Sequence, residues 1–207
     1  MLLKTINILI KILLFTTLAF YFNHPVVAQQ KLSLQTKQQQ LISYSVPKSL
    51  SNIIIFDKPL DISHVSFTDT KKQFFIKDFQ NDVVVMYAWA SFCGHCKKSM
   101  PKLNDLQKRI QDENIKIIAL NVDSKGPKRA LKFVNSLEDM LIEFYYINNN
   151  SLTNFAYEHA NAFTILGVPF IFIINKKSEA VALIIGTINL DSPEIITFLK
   201  NIKKIYK

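Results

Sequence analysis

The sequence predicts an α/β sandwich on a mixed β-sheet, with elements in the order β-α-β-α-β-α-β-β-α. Three observations predict it. Apolar runs of strand length, rich in β-branched and aromatic residues, recur at 83–90, 115–122 and 170–174. Stretches between them carry apolar residues three and four apart, as on one face of a helix. A short polar stretch with a turn at Asn175-Lys176-Lys177-Ser178 separates the last two strand runs, so a hairpin completes the sheet.

Each element has its own signal. Ile53-Ile54-Ile55-Phe56 and Val65-Ser66-Phe67-Thr68 are short apolar segments. Asp69-Thr70-Lys71-Lys72 is a turn-like break before Gln73-Phe74-Phe75-Ile76, which predicts an N-terminal β-hairpin. After a polar stretch from Lys77 to Asp82, Val83 to Ala90 reads as a buried strand. From Lys97 to Arg109 the chain is helical, with Met100, Leu103, Leu106 and Ile110 on the apolar face. Ile115 to Val122 is a second buried strand, and Gly126-Pro127 opens a helix through Ala130, Phe133, Val134 and Leu137. Ile142 to Ile147 is a strand, and Ser151 to His159 a short helix begun by a serine cap. Phe170 to Ile174 and Ala180 to Ile185 form the closing hairpin. Asp191-Ser192-Pro193-Glu194 starts a terminal helix with cap, first-turn proline and acid in the expected order. No internal repeat is evident.

The chain divides by composition into three parts. Residues 1–28 read as a signal peptide: Lys4 and Lys11 flank a short apolar stretch, and Ile12 to Phe22 forms the h-region. Asn23-His24-Pro25 breaks the helix, and Val26-Val27-Ala28 supplies small residues at a cleavage site before Gln29. The rival reading is an uncleaved membrane anchor, extended through Ile6 to Ile10 if Lys11 snorkels. Both outcomes place the rest of the chain in a periplasmic or other extracytoplasmic space. Residues 29–51 are polar and glutamine-rich, a linker or tether outside the core, and 52–207 form one domain. The 25 basic and 16 acidic residues give a net charge of +9, and loss of Lys4 and Lys11 by cleavage leaves +7. The lysines are scattered, with no arginine-rich run, so a solvated basic surface is favoured over a nucleic-acid partner.

Cys93-Gly94-His95-Cys96 holds the only two cysteines, so the domain folds on its apolar core and not on a disulfide scaffold. The motif sits where a strand run gives way to a helix. Cys93 therefore lies at a helix N-terminus, where unpaired N–H groups and the helix dipole favour an anionic sulfur. The thiolate is the nucleophile, and such sites bring a cysteine pKa down to roughly 3.5–7.5 from about 8.5.

Trp89-Ala90-Ser91-Phe92-Cys93-Gly94-His95-Cys96 with Pro101 in the following helix resembles the thioredoxin superfamily, and more narrowly its TlpA/ResA branch of exported thiol-disulfide oxidoreductases. The resemblance runs from about Pro59 to the C-terminus and includes Asp61 to Asp69 and Gly167-Val168-Pro169-Phe170-Ile171-Phe172-Ile173-Ile174-Asn175, which is similar to that family's cis-proline strand. It implies a thioredoxin-like three-layer sandwich with an N-terminal β-hairpin extension. It further implies that Cys93 attacks a substrate disulfide and that Cys96, one turn further in, resolves the mixed disulfide. Val168 and Pro169 become substrate-binding residues. Trp89 is a third, with ordinary core packing as its alternative. Gly94 and His95 become the redox-tuning pair: a histidine here donates to the Cys93 thiolate, stabilises the reduced form and raises the potential. Lys97 and Lys98 push the same way. The Cys-Gly-His-Cys tetrapeptide is similar to that of protein disulfide isomerase, near about −180 mV, against about −270 mV for thioredoxin. The resemblance also implies partner proteins with disulfides or metal-site cysteines, re-reduction by a membrane thiol-disulfide carrier, and no cofactor beyond the Cys93–Cys96 disulfide.

Three positions depart from the family pattern. Tyr87 stands where an Asp or Asn is common six residues before the first cysteine, Ser99 where ResA-like proteins carry Glu, and Phe92 where a tryptophan is common. No carboxylate base for Cys96 is identifiable, which leaves water or the substrate thiol for that role. The leading expectation is a reductant in cytochrome c or oxidase copper-site maturation. A net oxidant or isomerase is the enzymatic alternative, argued from His95 and Val168. The non-enzymatic one is a copper or zinc module using Cys93, Cys96 and His95 or His159. A zinc site wants four ligands, and the chain has no second cysteine pair, so no metal site is expected. His24, His64 and His159 read as surface or packing residues.

Overall fold

All seven residues of Val83–Trp89 are buried, and they divide strictly between the two sides of a sheet. Val83, Val85, Tyr87 and Trp89 join one apolar cluster, and Val84, Met86 and Ala88 the other, as the two-residue period of a strand requires. The computed structural model describes residues 46–47, 50, 52–111, 113–147, 167–190 and 192–206. Among them the strands are β1 (Ile53–Asp61), β2 (Ser66–Thr68), β3 (Gln73–Phe75), β4 (Val83–Trp89), β5 (Ile115–Asn121), β6 (Glu143–Ile147), β7 (Phe170–Ile174) and β8 (Glu179–Ile185). They form one mixed sheet ordered β1-β8-β7-β4-β5-β6-β2-β3. β4, β5 and β6 run parallel to one another, whereas β7 is antiparallel to both β4 and β8, and β2 is antiparallel to β6.

Helices α1 (Gly94–Ile110), α2 (Lys128–Val134) and α3 (Pro193–Ile205) pack on the first cluster. α1 contributes Met100, Leu103, Leu106 and Ile110, α2 contributes Ala130, and α3 contributes Ile195, Phe198, Leu199 and Ile202. On the opposite face, Ile62 and Val65 from the chain before β2 and Ile76 and Phe79 from a 3₁₀ turn after β3 pack against Phe172 and Ile174. The predicted α/β architecture, the β2–β3 hairpin and the β7–β8 hairpin are all present. The second hairpin is fixed by Asn175, whose buried Oδ1 accepts from the N–H groups of Lys177 and Glu179 at 2.9 and 3.1 Å.

Three differences from the sequence reading have physical causes. β1 continues past Phe56 to Asp61, because Leu60 and Asp61 resume pairing with β8 after a register shift. Pro59 falls in that irregular stretch of an edge strand, where a missing N–H is tolerated. The polar tether assigned to 29–51 is corrected at its end: Leu50 is buried and Val46 packs beside it in the helix-side core. Two polar residues also lie on the buried face of α1. Asn104 donates to the carbonyl of Asp139 at 2.9 Å and accepts from Leu141 N–H at 2.6 Å. Gln107 donates to Ile115 O at 3.3 Å and accepts from Ile117 N–H at 2.6 Å. The expected signal segment 1–28, the rest of the tether and the helix expected at 151–159 lie outside the described residues. Among the described residues no helix is long and apolar enough to cross a membrane.

Two measurements check this account. Phe198 is fully buried between α3 and the sheet, and F198A is expected to cost about 3–5 kcal/mol in urea denaturation. Burial alone would raise the Glu143 carboxyl, but hydrogen bonds from Lys116 and Tyr145 and the Lys116 charge outweigh it and hold the group below the usual range. A depressed folded-state value means that its contribution is present above the unfolded-state pKa and is lost as pH falls through the folded one. Stability is therefore expected to drop below about pH 4.5, and E143Q to flatten that part of the denaturation profile.

Candidate active site

The two cysteines are placed by the end of β4. Parallel pairing sets Trp89 opposite Asn121, and the residues just past β5 hold the departing chain. Val122 N–H donates to the Trp89 carbonyl at 2.8 Å, and Ser91 N–H donates to Asp123 Oδ1 at 2.9 Å. Cys93 N–H then donates to Ala90 O at 3.0 Å, closing the turn. Cys93 is the N-cap of α1, and its sulfur accepts the Cys96 N–H at 3.1 Å. A cap supplies an acceptor to one of the orphan donors of a first helical turn, and here that acceptor is the sulfur itself.

Cys93 and Cys96 are joined as a disulfide, with Cα atoms 5.3 Å apart, inside the span that one bond bridges. Their exposures differ. Cys96 is fully buried among the residues of the helix-side core, whereas Cys93 is half-buried and its neighbours Phe92, Gly94 and His95 are exposed. Only one sulfur of the pair is reachable from solvent.

β7 supplies the other wall. It runs antiparallel to β4 with Phe170 opposite Ala88, so the residues before it arrive beside the disulfide. The Val168–Pro169 peptide bond is cis, and Val168 O lies 3.8 Å from Cys93 Sγ. Gly186 N–H donates to Pro169 O at 2.8 Å, fixing this loop to β8. Cys93, Gly94, His95, Cys96, Val168 and Pro169 are thus brought together as the sequence reading expected.

Trp89 is not on that surface. It has no exposed area and packs edge-on against Phe133 and Phe144, with centroids 5.6 and 6.4 Å away. The substrate-binding assignment of Trp89 is therefore corrected: it belongs to the core that supports the loop. The reason is its parity in β4, which points it to the same side as Val83, Val85 and Tyr87. Tyr87 and Ser99, which occupy the two positions where a carboxylate is common, put no charge beneath the disulfide. Burial pushes the Tyr87 hydroxyl up, tempered by Ser99, and Ser99 Oγ donates to His95 O at 3.0 Å. Among the described residues no group of three or more His, Cys, Asp or Glu is disposed to hold a metal ion.

The sequence reading missed Asp123 and the exposure of Phe92. Asp123 stands just past the C-terminal end of a parallel strand, where α/β sheets build their sites, and that position was the available signal. Phe92 is 80% exposed, which no pattern in the strand or helix announces.

A cysteine pair capping the first helix after a central strand, opposite a cis-proline loop, defines a thioredoxin-fold protein. The Thioredoxin-like family model matches residues 81–180. A 52-residue stretch is 35% identical to the thiol-disulfide oxidoreductase ResA of Bacillus thuringiensis subsp. konkukian, covering 25% of this chain and 30% of that protein. Over 119 residues the chain is 23% identical to the ResA of Geobacillus kaustophilus, covering 58% and 63%. Among solved structures, a secreted thiol-disulfide isomerase from Corynebacterium glutamicum superposes with a TM-score of 0.56 at 18% identity, over 76% of this chain and 95% of that one. The chain spans less than two thirds of the length of these ResA relatives. The fold is thioredoxin-like, and the chain is similar to TlpA/ResA-like members of the thioredoxin superfamily.

The Asp123 clamp is testable. D123A leaves the Ser91 N–H without its acceptor and is expected to cost about 1–3 kcal/mol in denaturation of the oxidised protein, while D123N keeps an oxygen there and recovers most of the loss.

Proposed function

We propose that this chain is an extracytoplasmic thiol-disulfide oxidoreductase that exchanges disulfides with partner proteins through Cys93 and Cys96. The observation that carries the reading is the unequal exposure of the bonded pair, with Cys93 half-buried at a helix N-cap and Cys96 fully buried behind it.

In the reduced protein the Cys93 thiolate attacks a partner disulfide. One partner sulfur leaves as a thiolate, and the other stays bonded to Cys93. Cys96, deprotonated by water or by the departing thiolate, then attacks the Cys93 sulfur, restores the Cys93–Cys96 disulfide and releases the second partner thiol. Two electrons pass to the partner. The N–H of Cys96 stabilises the attacking sulfur, since in the oxidised state it already points at Cys93 Sγ. The half-buried Val168 carbonyl stands beside the same sulfur and offers an acceptor to a partner backbone N–H, with Pro169 shaping that wall.

The TlpA/ResA likeness supports a reductant that serves cytochrome c or oxidase copper-site maturation, recharged by a membrane thiol-disulfide carrier. The apolar N-terminal segment with its Val26-Val27-Ala28 site supports export. A net oxidant or isomerase is the second reading, and the exposure of His95 between the two cysteines favours it: a donor there stabilises the reduced form.

C96S is expected to accumulate a mixed disulfide through Cys93 on non-reducing gels, and C93S to accumulate none; equal trapping by both variants removes the assigned roles. Equilibration with glutathione buffers separates the two directions of flow. A potential at or below about −220 mV fits the reductant, and one of about −120 to −180 mV the oxidant or isomerase. In the second case H95A is expected to lower the potential.

A further inference from the structure

Beside the disulfide lies an open cleft of about 430 Å³ between Phe92 on one side and the loop from Asp123 to Arg129 on the other. We propose that this cleft is the specificity pocket for the partner chain and that it takes a segment bearing aspartate or glutamate next to the target cysteine. The proposal rests on the oxidoreductase reading above and names the class of partner that reading leaves open.

Position is the first argument. The strand order places β7 on one side of β4 and β5 on the other, so the Val168–Pro169 loop and the Asp123 loop flank the end of β4 on opposite sides. A polypeptide lying across Cys93 has one flank at Val168 and the other over Phe92 and the cleft. Phe92 is the residue immediately before the reactive cysteine, and an aromatic ring 80% exposed at that place is an anchor for apolar contact, the kind of side chain that dominates binding surfaces.

Charge is the second argument. Lys125, Lys128 and Arg129 line the cleft and are exposed, and among the described residues none of them forms an ion pair. Some lysines elsewhere are matched, Lys116 with Glu143 at 2.7 Å and Lys200 with Glu113 at 2.8 Å; what sets the cleft apart is that three cations gather on one wall. The single carboxylate lining the cleft, Asp123, turns Oδ1 to Ser91 N–H at 2.9 Å and buries Oδ2 without a hydrogen-bond partner, so neither oxygen forms an ion pair with the cleft cations. The wall is also preformed. Gly126 adopts φ +80°, a conformation natural only to glycine, and donates to Asp123 O at 3.3 Å. Three cations on a fixed loop, in the same cleft as Phe92, are complementary to an anionic segment and select it mainly through encounter and register.

The test uses the full chain, oxidised, and two fluorescein-labelled peptides with serine in place of the target cysteine. One carries Asp and Glu beside the serine, and the other Asn and Gln. Anisotropy is expected to show the acidic peptide binding about fivefold tighter or more, with the gap shrinking as salt rises past about 0.5 M. The triple variant K125E/K128E/R129E is expected to reverse the preference, and F92A to weaken both peptides alike. Equal binding of the two peptides overturns the proposal. So does a preference that survives the triple variant, or loss of binding to phosphatidylglycerol vesicles as that variant's sole effect. All four substituted positions are exposed, and circular dichroism confirms that each variant is folded. Reduction of the matching cystine peptides is read separately. Retained discrimination without turnover keeps the cleft and removes the oxidoreductase reading, whereas equal turnover of both peptides keeps that reading and removes the cleft.

Discussion

The structure depends on β4 having no solvent face. Each of its seven side chains is buried, four facing the helices and three the opposite cluster. A strand covered on both sides gains apolar burial at every position, at about 25 cal/mol per Å² removed from water, and it cannot slip by one residue without exchanging its two faces. Fixed register is what the chemistry requires. Cys93 follows β4 by four residues, so its position is set by the strand and not by the loop. The loop is in turn held by β5 through the Trp89 carbonyl and the Ser91 N–H.

A second anchor acts from the far side. Gln107 spends both ends of its amide on the backbone of β5, at Ile115 and Ile117, and Asn104 does the same for the segment around Asp139 and Leu141. Such bonds are dear to break once buried, so α1 cannot slide along the sheet. The helix that carries Cys96 is pinned at its middle, and its N-terminus is pinned by the disulfide and the Cys93 cap. Both cysteines lie at the first turn of α1, ahead of these anchors.

Much of this was legible in the sequence, for definite reasons. Val83 to Ala90 and Phe170 to Ile174 read as strands because burial on both faces makes them continuously apolar. Cys93 at a helix start followed from the change of period downstream, and the cap of α3 from Ser192-Pro193-Glu194. The cis bond at Pro169 and its place beside Cys93 came through family resemblance, since no local pattern ties residue 93 to residue 168. What stayed illegible was tertiary. Trp89 looks like a site residue by proximity in sequence, but strand parity turns it inward. Asn104 and Gln107 look like solvent residues because their buried partners are backbone atoms, which leave no trace in side-chain patterning. Asp123 is one acid among sixteen until the β4–β5 pairing shows that it faces Ser91.

The two margins of the sheet carry one more consequence. β1 is interrupted by its register shift, with Lys58 and Pro59 in the irregular stretch, and β3 is only three residues long. Neither offers a long, flat row of unpaired amides, the template on which foreign chains add as an extra strand. Under the proposed exchange with partner chains, these margins protect the protein from being stitched to them through its own backbone. The disulfide instead stands at the end of β4, where a bond made between sulfurs can be undone.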